Sequence, residues 1–464
     1  MLYHDYYSWQ CQISEHAIGH ADGHVSIAFS WAGVNDQLFD ESEHNQILRT
    51  RLDLLKRLST HPGLSVEHHW FRRHDASVIE RYIEHSQDIV RGHDLALKIR
   101  EEMAEHYRPF AMSNSVVTVF TLSPTLGNTS LLSSIFRSKT QKKTQLWAEL
   151  AAKLESIFKE FASDYPAAKL LSADFSQWLF NSYHFEFDTP ASIDHNYDIA
   201  EQIISDKPVL SGDLLKMGDR YFKAAIVQNN PALEPAWMLN IASSSCDIHI
   251  AQTLVAKDAV GVLNKSAEES DTDQRTATNK DRDILVKGIS DAQDYRTYIT
   301  ENGLSVFDNS WIIIFSGTNI ETVRDTCREL VKWIGAAGGL VRHEASIQMH
   351  LYRVAQPCNG HHAQFSREDH AASIACMFPF TVFDAGHKAP DSLRMTSSFQ
   401  CVGHSPSTLS VGHEFVVAQT GGGKDTQNGT EIMEVYPFGL DYYICEFGDS
   451  YRWIVEGFGG TYTT

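Results

Sequence analysis

The chain has 464 residues and a mass of 52.2 kDa, which at about 150 residues per domain suggests roughly three domains with ample chain to bury cores. Apolar residues make up 42% and charged residues 21%, with 28 Gly and 13 Pro, a balance that excludes whole-chain disorder, collagen and coiled-coil rods. Acidic residues outnumber basic ones by 59 to 39, a formal charge of −20, which disfavours a role dominated by nonspecific binding to nucleic-acid phosphate or anionic lipid.

The longest strongly apolar stretch, Trp311-Ile-Ile-Ile-Phe315, is about a quarter of the ~20 residues that a spanning helix needs. The amino terminus, Met1-Leu-Tyr-His-Asp-Tyr6, lacks the basic and apolar regions of a secretory signal, so a cytoplasmic location is expected. Seven cysteines, far apart and without a C-x-x-C pair, fit thiols in a reducing compartment and not a disulfide framework or a zinc site.

In chain order, Val25, Ile27, Phe29 and Trp31 alternate as a half-buried strand should. Residues 41–59 place Leu48, Leu52, Leu55 and Leu58 on one helical face, and Leu64, Val66 and Trp70 return to period two. A long helical region is expected over 78–107, and a β-branched strand over 116–122 ends at Ser123-Pro124, since proline cannot continue a ladder. The small polar stretch 127–134 reads as a linker. Residues 140–163 form an amphipathic helix with Leu146, Leu150, Leu154, Phe158 and Phe161 as its stripe, and helical sequence continues to about 215.

Strand-like runs follow at 221–227 and 247–255, then a polar tract, 264–283, with the character of an exposed loop. Thr318-Asn-Ile-Glu321 reads as a capping box opening a helix that buries Val323, Cys327, Leu330 and Ile334 and stops at Gly335. Strands are expected on either side of it, at 304–315 and 340–353. The order gives an α/β fold, with an α/β domain over 1–125, a mainly helical segment over 138–215 and a second α/β region over 221–385. A distant duplication of the two α/β regions is conceivable from that order, although no short residue pattern recurs. The region before residue 390 is expected to fold independently.

Near the carboxyl end, Glu414-Phe-Val-Val417 reads as a strand running into Ala418-Gln-Thr-Gly-Gly-Gly-Lys-Asp425. Consecutive glycines turn the backbone with its N–H groups inward, while Lys424 and a following helix amino terminus supply positive potential for phosphates. The nucleotide-binding residues are therefore expected to be Thr420, Gly421, Gly422, Gly423, Lys424, Asp425 and Thr426, with ATP and Mg²⁺ as the expected cofactors. Ala418 stands at the usual first glycine and Asp425 at the usual hydroxyl, which makes Asp425 a candidate Mg²⁺ ligand. The bland alternative is a glycine-rich turn with an incidental lysine. Downstream, 442–445 reads as a second buried strand, and Glu446-Phe-Gly-Asp-Ser-Tyr451 leads into a short helix.

Gln419-Thr-Gly-Gly-Gly-Lys424, the Glu446 to Tyr451 pattern, the Gly459-Gly460 pair and the long α/β region ahead of them together resemble the TraC-type ATPases of conjugative type IV secretion systems, in the class of the HerA and FtsK motors. The motif match covers residues 414–464. The resemblance implies α+β interaction domains before the start of a RecA-like P-loop domain, here incomplete over 395–464. It also implies ATP-powered pilus assembly or substrate transfer, inner-membrane components of the secretion machine as partners, a homo-oligomer, and a peripheral location at the inner membrane. Only forty residues follow Lys424, too few for a motor core, so the sequence reads as an amino-terminal portion that binds nucleotide without appreciable turnover alone. Glu446 is the weak catalytic candidate, although the resemblance puts it at a structural strand end, and Asp449 reads as a helix cap. The runner-up function is a non-catalytic assembly subunit with a degenerate loop.

The chain has 23 histidines. His16-x3-His20-x3-His24 and the pairs His68-His69 and His361-His362 suggest metal, but Gly19 and Gly23 argue against a helix and no neighbouring carboxylate or cysteine completes a familiar set. They read as surface or loop histidines.

Overall fold

The computed structural model describes residues 7–34, 40–91, 93–124, 139–172, 175–186, 193–194, 197–229, 246–258, 293–295, 297–362, 365–379, 382, 386–396, 400–408, 416–417, 419, 422–446 and 448–463. The expected linker at 127–134 and polar loop at 264–283 lie outside them. The chain begins with β1 (Trp9–Gln12), β2 (Ala17–His20), β3 (Val25–Trp31), α1 (Glu41–Leu58), β4 (Leu64–His74), α2 (Ser77–Glu84), α3 (His93–Tyr107), β5 (Met112–Leu122) and α4 (Lys139–Asp164). Next come β6 (Lys169–Leu170), α5 (Phe175–His184), α6 (Ile199–Ile203), β7 (Val209–Ser211), β8 (Leu214–Met217), β9 (Arg220–Asn229) and β10 (Asp247–Lys257). After these follow β11 (Val306–Gly317), α7 (Ile320–Ala336), β12 (Leu340–Arg342), α8 (Gln348–Val354), β13 (Arg367–His370) and α9 (Ala371–Cys376). The last are β14 (Ser392–Met395), β15 (Cys401–His404), α10 (Lys424–Val435) and α11 (Arg452–Gly457). Helices and strands are mixed throughout, an α/β fold.

The chain divides into two compact units, one of Met1–Phe71, Ser115–Met238 and Cys246–Val382, the other of Arg72–Asn114, Leu239–Ser245 and Phe383–Thr464. This division differs from four consecutive segments, because residues 72–114 leave the first unit and return to it. In the first unit one sheet runs in the order β1-β2-β3-β5-β4-β10-β11-β9-β8-β7, with β6 on β3, β13 on β11 and β12 on β9. The two α/β regions therefore share a sheet through the neighbours β4 and β10. One long ladder, between β10 and β11, is antiparallel, from Asp247↔Ser316 to Lys257↔Val306.

At β3 both faces of the sheet are covered, so this strand is buried on both sides and not half-buried. Phe29 packs against Phe158 and Phe161 of α4, and Trp31 against Phe161 and Tyr165. Ala28, one residue away and pointing oppositely, joins Leu179, Tyr183, Ile312, Leu351 and Tyr352 in the core of the other face. Helix α1 starts on a capping box, with Asp40 accepting from the Glu43 N–H at 2.9 Å and Glu43 from the Asp40 N–H at 2.8 Å. It buries Arg51, Leu54, Leu55 and Leu58, a face turned from the one centred on Leu48 and Leu52. The cap of α7 is Asn319, whose side chain accepts from the N–H groups of Glu321 and Thr322, and not Thr318. Only Leu340–Arg342 of the strand expected over 340–353 forms. Beyond it Gln348 of α8 donates to Ala224 O and accepts from Ala224 N, both at 2.7 Å, so one buried amide serves β9 where a further strand would have paired.

In the second unit the helix expected over 78–107 is broken. Ile89 is extended, and the N–H groups of Val90 and Arg91 both donate to Pro437 O, at 3.0 and 3.1 Å. Val78, Ile79, Tyr82, Ala104, Ala111, Leu393 and Cys401 form its core. Arg100, 1% exposed, lies 3.6 Å over the Tyr82 ring and donates to Ser86 Oγ at 2.8 Å and to Pro390 O at 3.1 Å. Among the described residues no helix is long and apolar enough to cross a membrane.

Candidate functional site

Gly422 and Gly423 lead directly into α10. Gly422 N–H donates to Gln419 O at 3.0 Å, closing a turn. Gly423 has φ +77° and takes the N-cap position, a left-handed backbone that favours glycine. Helix α10 begins at Lys424, and its first bond is Gln427 N–H to Gly423 O at 3.0 Å. The preceding N–H groups have no side-chain cap, so they are the donors that an anion at a helix start accepts from. Lys424, Asp425 and Thr426 are exposed in that first turn, as are Gly422 and Gly423. Thr420 and Gly421 lie outside the described residues, as do Glu414, Phe415 and Ala418.

The far end of α10 is fixed. Val435 is fully buried and Glu434 is 1% exposed, and Tyr82 Oη donates to Glu434 Oε1. Arg394 Nη2 donates to Glu431 Oε2 at 2.6 Å. A Cβ on Gly429 would sit 2.8 Å from Ile454 Cδ1, so a larger residue here would require the Ile454 side chain of α11 to shift. Burial pushes the Glu434 carboxyl up to about 7, against the opposing effects of the Tyr82 hydroxyl and Arg100. The helix thus presents a free amino terminus on a seated body.

The flanking strands expected from sequence are not present among the described residues. Val416 and Val417 have no strand pairing, and Val417 is 77% exposed. Residues 442–445 form no strand, and Tyr443 is 94% exposed: an apolar run becomes a strand only where a neighbour supplies a ladder. Glu446 accepts from the N–H groups of Ser450 at 3.1 Å and Tyr451 at 2.9 Å, holding the turn into α11. Its carboxylate is occupied structurally; α11 has no side-chain cap, and Asp449, expected as one, accepts from Tyr462 Oη at 2.7 Å.

Of the histidines read as surface or loop residues, His20, His68 and His69 are instead buried in strands, as is His249, whereas His16 and His24 lie in loops and His361 and His362 in a short helical turn. In the first unit His69 Nδ1 and His249 Nε2 lie 2.9 Å apart and His69 Nε2 lies 3.3 Å from Glu67 Oε2. Glu67 also accepts from the N–H groups of Cys358 at 2.9 Å and Gly360 at 3.2 Å, tying the 358–360 turn to β4. His249 stacks on Phe71 at 4.1 Å. Burial holds the imidazoles of His68 and His249 well below the usual range, so both are neutral at pH 7. The signal in the sequence was Glu67-His68-His69 inside a strand that has no polar face.

No protein-family model matches the chain, and no curated protein matches it significantly.

Proposed function

We propose that the chain binds ATP with Mg²⁺ through Gly422, Gly423, Lys424, Asp425 and Thr426, together with Thr420 and Gly421, and is part of a conjugative type IV secretion ATPase of the TraC type. The observation that carries this reading is the left-handed Gly423 opening a 12-residue helix directly at Lys424, which sets uncapped N–H groups and an ammonium on one exposed end. In this reading the α/β unit is docking surface for inner-membrane components of the secretion machine, the assembly is a homo-oligomer, and membrane association is peripheral and through partners. Titration calorimetry with MgATP tests it: a saturable heat is expected, with affinity lowered at least about tenfold, or 1.4 kcal/mol, in Lys424→Ala. Equal affinity of both proteins would sink the proposal.

The second reading is a non-catalytic assembly subunit with a degenerate loop. It is favoured by Asp425 at the hydroxyl position and by the unpaired Val416 and Val417 ahead of the loop. Absence of nucleotide binding together with retained assembly on partner components would select it.

A further inference from the structure

The sequence reading found no carboxylate to complete a histidine set, yet Asp22 lies between His20 and His24 and the fold brings it to His361. Strands β2 and β3 join through a tight turn in which His20 N–H donates to His24 O at 2.9 Å and Gly23 N–H to His20 O at 3.0 Å. Gly23 has φ +94°, so the turn projects Asp22 and His24 together. His24 Nδ1 lies 2.9 Å from Asp22 Oδ1.

The other half of the cluster comes from residues 360–362, whose seat is fixed. Buried Glu67 holds the backbone of Cys358 and Gly360, and a Cβ at Gly360 would be 2.1 Å from Thr253 Oγ1. This seat presents His361 with Nε2 3.5 Å from Asp22 Oδ2 and its ring stacked 4.6 Å from that of His24. His362 Nε2 stands 3.9 Å from the same Asp22 oxygen.

We propose that Asp22, His24 and His361 form a binding site for a divalent transition-metal ion of the Zn²⁺ class. One donor atom from each of the three residues falls within 4.8 Å of the others, whereas a tetrahedral ion with bonds of ~2.0–2.1 Å holds its donors ~3.3 Å apart. Binding therefore requires the donors to draw together by up to about 1.5 Å. Two imidazoles and one carboxylate suit Zn²⁺, Co²⁺ or Ni²⁺ and not Mg²⁺ or Ca²⁺, which prefer all-oxygen shells. His361 is 10% exposed, and its Nδ1 is buried with no hydrogen-bond partner among the described residues. His20 does not compete, because Ser8 and Ser26 engage its two ring nitrogens at 2.8 and 2.7 Å. Asp22, at 32% exposure, faces solvent, so the remaining coordination position belongs to water or to His362. The ion would clasp the β2–β3 turn to the 360–362 turn.

Titration of the full chain with Co²⁺ and with Zn²⁺ tests this. One equivalent of Co²⁺ is expected to give d–d absorption without a thiolate charge-transfer band, displaced by Zn²⁺, and Zn²⁺ is expected to raise the melting temperature. His361→Ala and, on the exposed turn, Asp22→Asn should each weaken binding at least about tenfold, while His16→Ala leaves it unchanged. Circular dichroism of the metal-free variants separates ligand loss from misfolding. If His361→Ala fails to fold, Asp22→Asn carries the test. Absent stoichiometric binding, or binding equally strong in Asp22→Asn, overturns the site.

Discussion

Glu434 is the side chain whose surroundings dictate a pH dependence. Its carboxyl is pushed up to about 7 by burial, so the folded chain holds its proton more tightly than the unfolded chain, whose glutamates titrate near ~4.3. The stability this gives is complete below pH ~4.3 and is lost as pH rises through about 7. Deprotonation leaves a charge in a site 1% exposed, at a cost of the order of 3 kcal/mol by pH 9. Glutamine keeps an oxygen for the Tyr82 hydroxyl without the charge. The expected outcome is that Glu434→Gln gains on the native protein by a few kcal/mol between pH 5 and pH 9 in urea unfolding. A difference between the two proteins that stays constant across this range would show that Glu434 does not carry the titration.

At the scale of elements, α10 shows a helix whose two ends are set by different forces. Its body is anchored by Gly429 at the middle and by Glu434 and Val435 at the carboxyl end, while its first turn carries Lys424 and Asp425 of opposite charge in solvent. Asp425 suits the helix dipole by a few tenths of a kcal/mol, yet it opposes an incoming phosphate by about 1 to 3 kcal/mol per unit charge at ~5 Å, the lower end applying to an exposed group. Thr426 does not replace it, since one helical step turns its side chain by ~100°. Asp425→Thr is therefore expected to tighten ATP binding several-fold in chelator and less with Mg²⁺, where the ion offsets the carboxylate. Calorimetry in both buffers checks this, and unchanged or weaker binding in chelator would count against phosphate at this helix start. Elements with strong local signals were legible in the sequence: the 3.6-residue period of α4 and the stripe of Val323, Cys327, Leu330 and Ile334 in α7 need no tertiary partner to be read. What the sequence hid was context. Period-two residues in β3 could not reveal a second covering layer, the apolar run at 442–445 forms no strand among the described residues because ladder pairing depends on long-range context that no local pattern announces, and Gln348 replaced a strand by a side-chain amide. In the histidine cluster, Asp22 and His361 stand 339 positions apart, a distance across which spacing carries no information.

At the scale of the whole molecule, the second unit draws together residues far apart in the chain, and this bears on what a shortened chain would do. Val78, Ile79 and Tyr82 of α2 bury themselves against Leu393 of β14 and Cys401 of β15, and each such side chain contributes roughly 1.5–3 kcal/mol by burial. Arg100 of α3, a buried cation, finds its acceptors at Pro390 O, Asp391 O, Tyr82 O and Ser86 Oγ, and without Asp391 it loses one of them. Asp391 in turn accepts from Ser407 N–H at 2.9 Å and lies 3.1 Å from His85 Nε2. A chain cut after residue 390 would therefore keep the sheet of the first unit and its covering helices while stripping 72–114 of the partners that order it. The sequence suggested that everything before residue 390 folds on its own, and the contacts divide that expectation in two. The first unit is expected to retain a cooperative thermal transition, whereas residues 75–110 should exchange their amide hydrogens far faster than in the full chain and become the first site of proteolysis. Hydrogen exchange read by mass spectrometry on both chains makes the comparison directly: protection of 75–110 undiminished by the deletion would mean that α2 and α3 do not depend on β14, β15 and α10 in the way their shared core requires.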